Sequence, residues 1–182
     1  KSAVIIGAGA IGSFYAVTLA KMGFADITVY DDDSIEEHNI ANQMYPITLV
    51  VMDKVLALTK VVREYSGVTI KTIGTRWSSE TAKSADIIVS AVDDMDVRAQ
   101  LWDFYSNDRG VKLYVDGRMG AQVFRAYSVD MAIQEEKEYY QRSLYPQSEA
   151  VPERCGQKSI IFNVLQVAGA MLAMTKQFVR GE

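Results

Sequence analysis

The stretch VIIGAGAIGS at residues 4–13 leaves few folds open. An apolar strand has to end in a turn nearly free of side chains and pass straight into a helix. Gly7, Gly9 and Gly12 are spaced G-x-G-x-x-G, which lets a backbone turn tightly, approach a phosphate and pack a helix on a strand. Many folds use such turns, so the glycines alone do not settle the matter. About twenty residues on, the strand DITVY ends at Asp31, where a carboxylate can accept from both hydroxyls of a ribose. Strand, turn, helix, strand and acid in that order predict a nucleotide pocket.

The rest of the chain alternates between strand and helix patterns, as a parallel sheet with helices on its faces requires. Strands are expected at 3–6, 26–30, 68–73, 86–91 and 112–116, with helices at 11–22, 51–65 and 95–105. In the second helix Val51, Val55, Leu58, Val62 and Tyr65 fall on one face. From Gly117 the pattern changes. MGAQVFRAYSV alternates like an antiparallel strand, an acidic helix is expected at 133–142, a loop at 144–156 and an apolar helix at 159–178. The predicted class is α/β, a Rossmann-like, doubly wound, mainly parallel sheet extended by antiparallel structure. It forms one domain over 1–182, with a nucleotide half at 1–116 and a C-terminal half at 117–182.

Composition narrows the function. A net charge of −4 and a pI near 5.1 speak against nucleic acid as the main partner, which needs a basic face. No segment offers the ~20 uninterrupted apolar residues of a membrane span, and the apolar start lacks a cleavage pattern. A cytoplasmic location is expected. The single cysteine, Cys155, rules out an internal disulfide and a cysteine-based zinc site.

Four groups of residues can carry chemistry. The run Asp31, Asp32, Asp33, Glu36, Glu37 reads as a solvated loop for Asp32 and Glu37. Asp31 differs because it ends a buried strand, and Asp33 either holds the loop or sits near a metal. Lys54 falls in the first turn of the 51–65 helix, where a cation opposes the helix dipole. It either answers an anion at that helix start, pairs with Asp53, or is simply exposed. In SAVDDMDVR, Asp93 and Asp94 follow a strand, on the sheet edge where ligands bind in open α/β folds. Asp94 and Arg98 are assigned to structure, a helix cap and an i,i+4 pair, whereas Asp93 suits Mg²⁺ between nucleotide phosphates. Cys155 lies between Arg154 and Lys158 just before a helix, so it is either a reactive thiolate or a small buried residue. His38 has no evident partner for a triad and reads as a loop residue facing the nucleotide.

GAGAIGS, YDDDSIEEHNIANQ, the Asp53–Lys54 pair, SAVDD…R and DGRMG together resemble the ThiF/MoeB/HesA superfamily, the adenylyltransferases related to ubiquitin-activating enzymes. The resemblance covers nearly the whole chain. It implies ATP rather than NAD, with Mg²⁺, and attack on ATP by the C-terminal glycine carboxylate of a ubiquitin-like or sulfur-carrier protein. The implied ATP site is Gly7, Gly9, Ile11, Gly12, Asp31, Asp33, Asn39, Asn42, Gln43, Lys54 and Asp93, with Asp93 as the Mg²⁺ ligand. Lys54, Gln43, Asp93 and Cys155 are the implied catalytic set, Cys155 matching the cysteine that some members use to capture the activated carboxyl. A homodimer is expected, with the apolar 160–174 face packed on the core or on a twofold partner.

Two departures stand out. The pattern N-x-x-R-Q of that family is Asn39-Ile40-Ala41-Asn42-Gln43 here, so Asn42 stands where the bidentate phosphate arginine would be. Stabilisation of that kind is worth ~10²–10³ in rate. The C-x-x-C zinc pairs are also absent, Tyr140 and Ser143 standing at the first pair. Two other classes stay open on the residues alone: an NAD(P)-dependent oxidoreductase, and a nucleotide-binding scaffold with little catalysis.

Overall fold

A computed structural model describes residues 1–120, 123–150 and 161–181. Strands β1 (Ser2–Ile6), β2 (Asp26–Tyr30), β3 (Lys71–Ile73), β4 (Ile87–Ser90), β5 (Leu113–Gly120) and β6 (Val123–Asp130) form one sheet in the order β3-β2-β1-β4-β5-β6. The first five run parallel, and β6 pairs antiparallel with β5. The chain leaves β1 toward β2 on one side and later returns to β4 on the other. The order therefore reverses between β1 and β4, where a crevice opens at the carboxyl ends of the strands.

Helices cover both faces, which is why β1 and β4 are continuous apolar runs. Ala3 and Ile5 join a core with helices α1 (Ala10–Lys21), α2 (Lys54–Ser66) and α5 (Ile161–Arg180), built on Tyr15, Leu19, Leu58, Val62, Val167 and Met171. Val4 and Ile6 join the opposite core with α3 (Met95–Tyr105) and α4 (Gln134–Gln141), where Trp102, Tyr105, Tyr114 and Tyr140 pack together. No helix among the described residues is long and apolar enough to cross a membrane.

Among the described residues the expected strands and helices are present with shifted ends; 151–156 of the expected loop and 159–160 of the last expected helix lie outside those residues. The second helix begins at Lys54, not at 51, because the preceding residues pair with the acidic loop instead. Ile35 N–H donates to Met52 O and Val51 N–H to Ile35 O, each at 2.8 Å, holding Val51 at φ +69° with its side chain 84% exposed. Val51 and Tyr65 are thus off the buried face, which keeps Val55, Leu58 and Val62. The third strand shrinks to three residues because only Lys71–Ile73 pairs with β2, opposite Thr28–Tyr30; Gly67, at φ +74°, ends the preceding helix with a left-handed cap. Met119 and Gly120 belong to β5, which crosses the 116/117 boundary between the expected halves; β6 is the antiparallel strand.

Candidate functional site

The glycine turn sits at the crevice floor. At Gly7 (φ +96°) a Cβ would lie 2.6 Å from Ala91 O, and at Gly12 it would lie 1.8 Å from Gly7 O. Both positions exclude any side chain, so the turn is packed directly on the end of β4. Gly9 is different, because a Cβ there meets nothing within 4 Å. It caps α1 without a side-chain bond, and the helix carries no acid in its first turn. The first N–H groups of α1 therefore face the crevice side without a protein anion, an arrangement suited to phosphate. Ile11 has its side chain in the core.

Asp31 folds back over this turn. Its Oδ2 accepts from Ala8 N–H at 2.7 Å and its Oδ1 from Asp33 N–H at 2.9 Å. Burial raises its pKa, opposed by the Ala8 bond and by Lys54. Each oxygen keeps a lone pair for the diol of a ribose. Tyr45, which the sequence did not single out, seals the turn from above: its buried hydroxyl donates to Ala8 O at 2.7 Å. Burial, and then the charge of Asp31, push this phenol well above its ordinary pKa, so it remains a donor. Ser13 Oγ accepts from Met44 N–H at 3.0 Å and ties the same segment to α1.

Lys54 is buried, and its partner is not Asp53. Its ammonium donates to Asp33 Oδ2 at 2.6 Å and lies 3.9 Å from Asp31 Oδ1. Lys54 N–H also donates to Asp33 O at 2.9 Å, so the backbone pairing that delays the helix also places the ammonium. Asp33 therefore holds the lysine and the loop together.

Asn39, Asn42 and Gln43 lie in and just after the 3₁₀ turn Glu37–Ala41. Asn39 Oδ1 accepts from Glu36 N–H at 2.9 Å, so this buried amide closes the loop on itself. Asn42 Oδ1 and Gln43 Oε1 are buried without a hydrogen-bond partner. Such orphans are costly in a closed core and are commonly met by water or a ligand. His38 is exposed beside Glu36 at 3.4 Å and is not part of this group.

Asp93 is exposed immediately beyond β4. Asp94 caps α3, accepting from Asp96 N–H at 2.8 Å and Val97 N–H at 3.0 Å. The expected Asp94–Arg98 pair does not form. Arg98 turns inward and donates from Nε to Asp116 Oδ1 at 2.7 Å, because a buried guanidinium needs a buried carboxylate and Asp94 is committed to its cap. Cys155 lies outside the described residues.

The crevice fits a triphosphate nucleotide on two counts: open N–H groups at α1 and a free space at Gly9; the orphaned oxygens of Asn42 and Gln43 are acceptors, which a donor and not a phosphate would meet. Asp93 is a single carboxylate on the same edge, the donor set Mg²⁺ takes when phosphates complete its shell.

Comparisons with known proteins bear on the fold and the family. E. coli MccB bound to MccA-N7isoASN superposes with a TM-score of 0.73 at 17% identity, covering 98% of this chain and 56% of that one. MccB with AMPCPP and MccA superposes with a TM-score of 0.71 at 21% identity, over 98% of this chain and 55% of MccB. These likenesses establish the fold. "Adenylyltransferase and sulfurtransferase MOCS3" of Dictyostelium discoideum is 31% identical over 104 residues, which are 54% of this chain and 24% of that protein. The chain thus spans about half of the MccB chains, and its match to MOCS3 takes in a quarter of that protein. The family model described as ThiF family matches residues 1–176, and the chain belongs to that family.

Proposed function

We propose that this protein is an ATP-dependent adenylyltransferase that activates the C-terminal glycine carboxylate of a ubiquitin-like or sulfur-carrier protein. The observation that carries the reading is the grouping of Lys54, Asp33 and Asp31 beside the open start of α1. An NAD(P) oxidoreductase has no use for a lysine gripped at that place.

The chemistry needs little from acid–base groups. A substrate carboxylate oxygen attacks the α-phosphorus, forming an O–P bond, while the α–β anhydride bond breaks and pyrophosphate leaves with its electron pair. No proton moves, so the work is positioning and charge neutralisation. Asp31 holds the ribose, the α1 N–H groups and Lys54 hold the phosphates, and the amides of Asn42 and Gln43 turn their NH₂ groups to phosphate oxygens. Asp93 would hold Mg²⁺, which when bound would supply charge neutralisation on the leaving group.

Asn42 in place of an arginine leaves three outcomes for adenylation: a slow reaction, a charge supplied by an arginine from elsewhere, or loss of the activity. The exposed Ile161, Phe162 and Leu165 at the start of α5 favour a second copy of the chain as a neighbour. MOCS3 by its name is an adenylyltransferase and sulfurtransferase, and MccB is seen with MccA, which supports a protein or peptide substrate. The test is exchange of labelled pyrophosphate into ATP with a glycine-ending β-grasp protein, alongside calorimetry with ATP/Mg²⁺ and NAD⁺. Carrier-dependent exchange supports the enzyme. ATP binding without exchange favours the scaffold, and NAD⁺ binding without ATP binding refutes the proposal.

A further inference from the structure

We propose that Arg98 is a positioning residue that fixes the metal-binding end of β4, an inference that rests on the ATP/Mg²⁺ reading above. Four contacts hold its guanidinium. Nε donates to Asp116 Oδ1 at 2.7 Å and Nη2 to Gly117 O at 3.2 Å. Nη1 reaches Met95 Sδ at 3.1 Å, and Nη2 also donates to Val92 O in a short bond.

The position of Val92 gives this grip its meaning. Val92 is the residue before Asp93, and the residue before Val92 is Ala91, whose carbonyl abuts Gly7. One buried cation thereby sets the path of the chain between the glycine turn and the Asp93 carboxylate. Asp93 is exposed, so side-chain packing does not fix its height above the crevice. The clamp on the preceding carbonyl does. A guanidinium is needed because a fixed planar fork can serve Asp116, Gly117 O and Val92 O together, whereas an ammonium is a point charge.

Asp116 is itself held from the far side, with Arg118 Nε donating to its Oδ2 at 2.7 Å. Arg118 goes on to Ser143, donating to its carbonyl at 2.8 Å and to its Oγ at 2.9 Å. Each oxygen of Asp116 thus has its own guanidinium, Oδ1 for Arg98 and Oδ2 for Arg118. Groups that orient a metal ligand in this way usually change metal affinity by about 10–100-fold when altered. A merely structural ion pair would instead change stability and all ligand binding together.

The test is ATP affinity by calorimetry with Mg²⁺ and with EDTA, read as the ratio of the two, for wild type, Arg98→Lys and Arg118→Lys. Arg98→Lys is expected to cut the Mg²⁺-dependent gain about tenfold while leaving metal-free ATP affinity within about twofold. Arg118→Lys, whose side chain bonds Asp116 and Ser143, is expected to keep the wild-type ratio. An unchanged ratio in Arg98→Lys, or an equal fall in Arg118→Lys, overturns the assignment. If Arg98→Lys does not fold, Asp116→Asn keeps the shape and one acceptor oxygen; a smaller fall in its ratio supports the proposal and no fall overturns it. A wild type that gains nothing from Mg²⁺ sinks the metal reading itself, before any variant is compared.

Discussion

The ammonium of Lys54 sits 2.6 Å from Asp33 Oδ2, a contact that spans 21 residues of sequence and joins the acidic loop to the first residue of α2. Lys54 is buried while Asp33 is 62% exposed, so solvent screens the pair and its worth to folding is about 0–1 kcal/mol. Its value lies in aim. Lys54→Met should change the unfolding free energy by no more than about 1 kcal/mol. Loss of a charged hydrogen bond to phosphate should lower ATP affinity about 10–100-fold, as read by calorimetry. Equal affinity in the variant would remove Lys54 from the site.

Two glycines in one turn should respond in opposite ways. A methyl at Gly12 collides with Gly7 O, so Gly12→Ala should destabilise the protein by about 3 kcal/mol or more. A methyl at Gly9 meets nothing within 4 Å, but its φ of −77° and ψ of −146° lie outside the regions alanine readily adopts. Gly9→Ala should therefore cost only about 1 kcal/mol of stability but bind ATP about tenfold more weakly, since the methyl fills space meant for phosphate. Thermal melts with and without nucleotide check both.

Asp31 gives nucleotide binding a pH signature. Burial raises its pKa in the folded protein, so the fold holds that proton more tightly than the unfolded chain does. Stability contributed by the protonated form is present below the unfolded value, ~3.9, and is lost as pH rises through the higher folded value. Nucleotide binding runs the other way, because the ribose diol needs an ionised acceptor. ATP affinity should fall as pH drops through that raised value, with proton release on binding in the same window. Calorimetry in buffers of different ionisation enthalpy measures it, and affinity flat down to about pH 4 would refute the role.

Val51 stands at φ +69° with its side chain in solvent, a poor place for a β-branched residue. Val51→Asn should stabilise the protein by about 1 kcal/mol, since asparagine visits this region more readily and little packing is lost. Chemical denaturation reads the gain. The backbone pairing of Ile35 with Val51 and Met52 fixes where α2 starts and does not involve the side chain, so the variant should keep ATP affinity.

Asn42→Arg should raise pyrophosphate exchange about tenfold or more if the missing guanidinium limits the rate. No rise, with ATP binding intact, would show that the charge is supplied from elsewhere.

Much of the scaffold was legible in the chain alone. Glycines at G-x-G-x-x-G spacing, the apolar strands and Asp31 at a strand end each follow from local rules: a turn that no Cβ can enter, faces buried on both sides, and an acid placed where the strand stops. The cap at Asp94 is local in the same way. What pattern reading missed depends on contacts between distant segments. Arg98 prefers Asp116, eighteen residues away, over Asp94 four residues away, because burial makes a desolvated carboxylate the only adequate partner. Helix α2 starts three residues later than its apolar spacing implies, because residues 33–35 take up the backbone groups of 51–54 first. Tyr45 covers the glycine turn through a bond across 37 residues that no spacing encodes. Sequence determined which elements form and in what order, since those choices are settled within a few residues by sterics and period. Only the tertiary structure decided which charges meet, because partner choice depends on which groups lose water together when the layers close.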